Sequence, residues 1–81
     1  RSFDRRFRAA TGYSPREYVQ ALRTEEAKQL LEATREPIDA VAQAVGYADS
    51  RAFQRLFRRS TGLTPSAYRR RFSHDRFLAA R

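Results

Sequence analysis

Four long polar side chains share one side of a helix between residues 50 and 60. At 100° per residue, Arg51, Gln54, Arg55 and Arg58 project together, with no acid among them. Arg51 and Arg55 stand one turn apart. A guanidinium so placed can grip guanine O6 and N7 with two hydrogen bonds, and Gln54 can do the same for adenine N6 and N7. Arg58, Arg8 and the run Arg69, Arg70, Arg71 suit phosphate oxygens, which position a protein on a duplex without reading its sequence. The opposite side of the same helix carries Ala52, Phe53, Leu56, Phe57 and Ser60, a surface for a core. A helix with these two faces fits the major groove of DNA. The bland alternative is a solvated basic surface, which accounts for one arginine more easily than for the whole set.

The charge distribution agrees. Of 81 residues, 17 are Lys or Arg and 9 are Asp or Glu, a net charge of +8, and the basic set is arginine except for Lys28. Seven arginines and no acid lie between Arg51 and Arg71, whereas six acids lie between Glu17 and Asp39. Segregation of this kind is the electrostatic footprint of a nucleic-acid binder. Other chemistries lack their parts. The chain has no cysteine, and its one histidine, His74, stands near the C-terminal end without a partnered carboxylate or nucleophile elbow. Glycines 12, 46 and 62 form no phosphate-binding loop. We therefore expect no catalytic site, no metal and no cofactor. No apolar run is long enough for a bilayer, and the charged first residues lead into no signal-peptide core, so the expected location is cytoplasmic and away from membranes.

The elements that must hold these residues can be read in order. Residues 1–20 align with residues 51–70 without a gap, with nine identities: Arg1, Phe3, Arg5, Phe7, Arg8, Thr11, Gly12, Pro15 and Tyr18 each recur 50 positions later. One structural unit is used twice. The first copy predicts a helix ending near Thr11, closed by Gly12. Ser14, Pro15 and Glu17 then read as a capping box with proline at the first helical position. A long helix follows over 15–34, about 28–30 Å at ~1.5 Å per residue, with Tyr18, Val19, Leu22, Ala27, Leu30 and Leu31 along one side and Arg23, Glu25, Glu26, Lys28 and Glu32 outside. Pro37 opens a short helix whose Ile38, Val41, Ala42 and Val45 follow the i, i+3, i+4, i+7 rule. Gly46 makes the turn, Asp49 or Ser50 caps the 50–60 helix, Thr61 and Gly62 stop it, and Thr64-Pro65 opens a last helix to about Phe72. Residues 73–81 read as a frayed extension. Phe3, Phe7, Phe53 and Phe57 face inward, and Tyr18, Tyr68 and Tyr47 pack beside them. Asp4 can accept from cytosine N4 or pair with Arg8 one turn on, the ion pair being favoured.

The pattern F-x-R-x-F-R-x-x-TG-x-(S/T)-P-x-x-Y, present at Phe3–Tyr18 and again at Phe53–Tyr68, resembles the DNA-binding domain of the AraC/XylS family of bacterial transcription regulators. The second copy, with I-x-x-V-A-x-x-V-G-Y-x-D ahead of it, is similar to that family's signature. The resemblance covers residues 1–72. It implies an all-α fold of two helix-turn-helix lobes joined by a long linker helix, the first lobe incomplete: residues 1–13 as a remnant of that lobe, 14–35 as linker, 36–72 as the second lobe with its closing helix, and 73–81 as an extension. It implies recognition helices at 1–10 and 50–60, with base-reading candidates Arg1, Asp4 and Arg5 in the first and Ser50, Arg51, Gln54 and Arg55 in the second. The helices expected ahead of the first recognition helix are missing, as is the effector-binding or dimerisation domain that the family places N-terminal, so the sequence reads as a fragment. The implied partners are operator or promoter DNA and RNA polymerase through the full-length protein, with the protein nucleoid-associated when bound.

A linker of ~30 Å suits two contacts one DNA turn of ~34 Å apart, with DNA bending of ~1–6 kcal/mol if the lobes are rigid. Two rivals remain: a basic helical RNA-binding module, disfavoured because the deep major groove of A-form RNA excludes a reading helix, and a membrane-surface amphipathic helix, disfavoured because the apolar faces are needed for the core.

Overall fold

The computed structural model describes residues 2–73 and folds them into five helices: α1 (Ser2–Thr11), α2 (Pro15–Ala33), α3 (Ile38–Ala44), α4 (Ser50–Thr61) and α5 (Pro65–Phe72). The 73–81 extension lies outside them but for Ser73, which ends α5. The described part is elongated, 53 × 24 × 19 Å, because α2 runs out beyond the core it helps to build.

The repeat is structural as well as sequential. At the end of α1, the Thr11 hydroxyl donates to Phe7 O at 2.8 Å and accepts from Tyr13 N at 3.1 Å; at the end of α4, Thr61 donates to Phe57 O at 2.8 Å and accepts from Leu63 N at 3.1 Å. Gly12 and Gly62 follow at φ +80° and +84°, each amide returning to the carbonyl four residues back. That left-handed step is open to glycine at little steric cost, and it turns the chain sharply enough to start the next helix three residues later. The two starts differ. Ser14 accepts from Glu17 N while Glu17 Oε1 accepts from Ser14 N, the expected capping box. Thr64 accepts from Ala67 N, with no reciprocal bond since Ala67 has no carboxylate. Pro37 sits one position earlier than expected, as the N-cap of α3.

The core lies at one end of α2. Ala27 and Leu31 from its second half pack with Val41, Ala42 and Val45 around α3 and with Phe53, Phe57 and Tyr68 from α4 and α5, all buried. Phe53 and Phe57 sit one turn apart with rings 5.7 Å between centroids, and Tyr68 meets Phe57 edge-on at 5.4 Å. The first copy repeats this stack: Phe3 to Phe7 at 5.7 Å, and Phe7 to Tyr18 edge-on at 5.2 Å.

With the helices ahead of the first recognition helix missing, Phe3 and Phe7 are expected to lose part of their cover. Phe3 is 65% exposed whereas Phe53 is 2% exposed. The departure from the sequence reading is on α2, where Tyr18, Val19 and Leu22, expected along its packing side, are exposed as well. No described helix covers α1 as α3 covers α4, so its inward face is apolar but open. Ser60 is also exposed, since the α4 core face ends at Phe57.

Equivalent residues should therefore carry unequal energies. Phe57→Ala is expected to cost about 3–5 kcal/mol, whereas Phe3→Ala should stay within about 1 kcal/mol. Urea unfolding monitored by circular dichroism checks this; equal costs would contradict the burial.

Candidate nucleic-acid interface

The polar face of α4 is built by its cap. The Asp49 carboxylate accepts from Arg51 N at 3.0 Å and fixes where the helix begins. From that start, the 100° phase that sends Phe53 and Phe57 into the core sends Arg51, Gln54, Arg55 and Arg58 to solvent, and Arg59 with them. No acid lies in the first turn of α4. Ser50 is half-buried, and its hydroxyl accepts from Gln54 Nε2 at 3.1 Å, so two of the expected base readers hold each other in place.

α1 presents Asp4, Arg5, Arg6 and Arg8 to solvent, and Asp4, Arg5, Arg8 and Ala9 line a shallow hollow. Arg1 lies outside the described residues. The expected Asp4–Arg8 ion pair does not form. Arg8 Nη1 is 3.6 Å from Glu17 Oε1 instead. The Glu17 carboxylate is already immobilised by the capping box, so only the arginine has to be ordered, whereas an Asp4 pair would order two free side chains. The Ser14 bonds, and after them Arg8, hold the Glu17 carboxyl below its ordinary value of 4.5.

A cleft of about 580 Å³ separates α1 from α4 across the linker, lined in part by Arg8 and Gly12 from the end of α1, Gln20, Thr24 and Lys28 from α2, and Ser60 from the end of α4. The C-terminal ends of the two candidate reading helices thus border one cleft beside α2. Lys28 and Glu25 pair within the cleft at 2.9 Å.

The α5 arginines divide. Arg70 and Arg71 are exposed, with the Arg71 guanidinium 5.7 Å from the Phe72 ring. Arg69 is turned into the fold, contrary to the solvent-facing position expected of it: its Nε donates to Leu31 O at 3.2 Å and its Nη2 is buried without a partner. One residue earlier, the Tyr68 hydroxyl donates to Glu32 Oε2; burial first and this carboxylate second raise the Tyr68 pKa. Residues 68 and 69 thereby clamp α5 to the last turn of α2. Glu32 is not the outward residue the periodicity suggests, and neither is Arg23, whose guanidinium lies 5.2 Å over the Tyr47 ring. A signal for Arg23 existed: it stands four and eight residues before Ala27 and Leu31, on the buried stripe of α2. Among the described residues no group of His, Cys, Asp and Glu is arranged to hold a metal, and no helix is long and apolar enough to cross a membrane.

Comparison with known proteins adds to this geometry. A helix-turn-helix domain family matches residues 1–71. The chain is 46% identical over 69 residues to the MmsAB operon regulatory protein of Pseudomonas aeruginosa, covering 85% of this chain and 22% of that protein. It is 37% identical over all 81 residues to the transcriptional activator RhaR of Yersinia pseudotuberculosis, covering 28% of it. The chain thus spans about a quarter of the length of these relatives. Among solved structures, it superposes on the DNA-binding domain of AdpA, a global transcriptional factor in complex with a target DNA, with TM-score 0.83 and 38% identity over 88% of this chain and 64% of that one. The C-terminal domain of AraT, a response regulator from Geobacillus stearothermophilus, gives TM-score 0.83 at 31% identity over 86% and 58% of the two chains.

The Glu17 carboxylate has a pH signature. Its folded pKa lies below its unfolded value, so the stabilisation by its charge is present above about pH 4.5 and is lost as pH falls through the lowered folded value. Glu17→Gln keeps a capping acceptor and removes the charge. Wild type and variant should therefore differ in thermal midpoint near neutrality and converge in acid; a gap constant from pH 7 to 3 would contradict the charge assignment.

Proposed function

The chain belongs to the AraC/XylS family of helix-turn-helix transcription regulators, and from that premise we propose that it reads double-stranded DNA by sequence for a bacterial regulator. The observation that carries the reading is α4: Phe53 and Phe57 are 2% and 1% exposed while Arg51, Gln54 and Arg55 stand in solvent on the opposite face. In the major groove these three and Ser50 read base edges, with Arg51 and Arg55 matched to guanine and Gln54 to adenine. α1 supplies a second reading surface through Asp4 and Arg5. Arg8, Arg58, Arg70 and Arg71 contact phosphates and set register; Arg69 leaves that set and holds α5 on α2. We assign residues 1–13 to a remnant of the first lobe, 14–35 to the linker and 36–72 to the second lobe with its closing helix.

The curated relatives run to about four times the length of this chain. In keeping with that, we assign the parent protein an N-terminal effector or dimerisation domain, action through RNA polymerase, and a cytoplasmic, nucleoid-bound location.

Selection from a randomised duplex library with the full-length regulator tests the reading. Arg51→Ala or Arg55→Ala should flatten base preference at particular positions, each by about 1–3 kcal/mol. Arg58→Ala or Arg71→Ala should weaken all sequences alike and lower the salt slope by about one unit. If readers and positioners behaved identically, the division between them would fall. Duplex RNA should compete poorly; equal competition would favour the RNA-binding alternative. Arg69→Ala should leave the salt slope unchanged and lower the thermal midpoint, by a loss of about 1–3 kcal/mol for a charged hydrogen bond; a lowered slope with unchanged midpoint would return Arg69 to the phosphate set.

A further inference from the structure

Arg23 of α2 reaches the turn ahead of α4. Arg23 is half-buried, its guanidinium lies 5.2 Å from the centre of the Tyr47 ring, and that ring lies 5.7 Å from the Phe53 ring on α4. Gly46, the turn itself, stands at φ +102°, and a Cβ added there would meet Arg23 Cζ at 3.1 Å and Nε and Nη2 at 3.2 Å. The guanidinium therefore occupies the space that a side chain at 46 would fill. Among the described residues no carboxylate pairs with it. The ring and the bare turn determine its place.

Beside Leu30 and the Glu32–Tyr68 bond near its end, α2 carries a stripe of contacts with the second lobe at i, i+4 and i+8: Arg23, Ala27 and Leu31. Ala27 and Leu31 are fully buried in the core, and the Leu31 carbonyl takes Arg69. Arg23 lies one turn further out, toward the part of α2 that carries α1. A rod held only over its last two turns, from Ala27 to Glu32, can pivot about the core. A contact one turn nearer α1, bearing on the loop that leads into α4, resists that pivot with a longer lever.

We infer that Arg23 is a positioning residue for DNA reading: stacked on Tyr47 and seated against Gly46, it sets the angle between α2 and α4, and so the distance between the bases that α1 and α4 can reach together. The inference rests on the reading that both helices engage DNA. Arg23 itself needs no contact with the duplex. Its effect is on which separation of two sub-sites is accepted, not on which bases are read within either.

The test uses the full-length regulator and two duplex sets: long duplexes in which the spacing between the α1 and α4 sub-sites is varied one base pair at a time, and a short duplex with the α4 sub-site alone. Arg23→Met keeps the stem and removes the planar cation; Arg23→Lys keeps the charge without the plane. For Arg23→Met, discrimination between the best spacing and its neighbours should fall about two- to five-fold, the size of one cation–π contact at a partly exposed site. Affinity for the short duplex should stay within about two-fold, and Arg23→Lys should lie between the two. An unchanged spacing profile would overturn the inference, as would equal losses on short and long duplexes, which would mark a phosphate contact or a general loss of fold. If Arg23→Met does not fold, Arg23→Lys is judged on the same readouts; failure of both to fold makes Arg23 a stability residue and also overturns it. A wild-type protein that selects sequence but tolerates every spacing refutes this inference alone, whereas one that selects no sequence refutes the proposed function beneath it.

Discussion

One twelve-residue helix has to satisfy two solvents at once. α4 inserts Phe53 and Phe57 into the core and turns Arg51, Gln54, Arg55 and Arg58 to water. Because the phase of a helix is rigid, the depth of the phenylalanines fixes the direction of the arginines. The rest of the second lobe serves that phase. Asp49 fixes where the helix starts, Thr61 and Gly62 fix where it stops, and Val41, Ala42, Val45, Leu31 and Tyr68 form the cavity that holds the two rings. The backbone that carries this polar face is helical before any ligand arrives, which reduces the backbone ordering that binding would otherwise require.

The two copies of the repeat separate local from tertiary causes. The threonine turns, the positive-φ glycines and the edge-on tyrosine contacts coincide within a few tenths of an ångström and a few degrees. Burial does not coincide. Phe53 is buried in the core cluster with residues of α2, α3 and α5, while its counterpart Phe3 stacks on Phe7 and is 65% exposed. Local hydrogen bonds and aromatic stacking thus shape each unit, and cover by other elements decides how much energy its apolar face contributes. The asymmetry extends to the caps: Glu17 closes a reciprocal bond and engages Arg8, whereas Ala67 does neither, and the second lobe is clamped by Tyr68 and Arg69.

Much of this was legible because the signals are local. Capping residues, glycine stops and the 3.6-residue period act within one or two turns, so all five helices fell within about a residue of expectation. The face of α4 was legible for the same reason. Side chains long enough to choose among partners were not. Arg69 can reach phosphate or the end of α2, and only the packing of α5 brought Leu31 O within reach. Arg8 chose Glu17 over Asp4 because a neighbouring cap had already fixed one carboxylate. Arg23 and Glu32 read as outward, yet Arg23 lies over the ring of Tyr47 in the turn ahead of α4 and Glu32 accepts from the Tyr68 hydroxyl of α5.

By itself the sequence determined the helices, their ends, the repeat and the two-faced character of α4, since each depends on backbone hydrogen bonds and on side chains a turn or less apart. Tertiary structure alone decided which apolar faces are covered, which arginines remain in solvent, and how α2 is braced against the lobe it carries. Those outcomes depend on contacts between residues such as Leu31 and Arg69 or Arg23 and Tyr47, 38 and 24 positions apart. No periodicity spans such distances; only the packed helices bring these groups together.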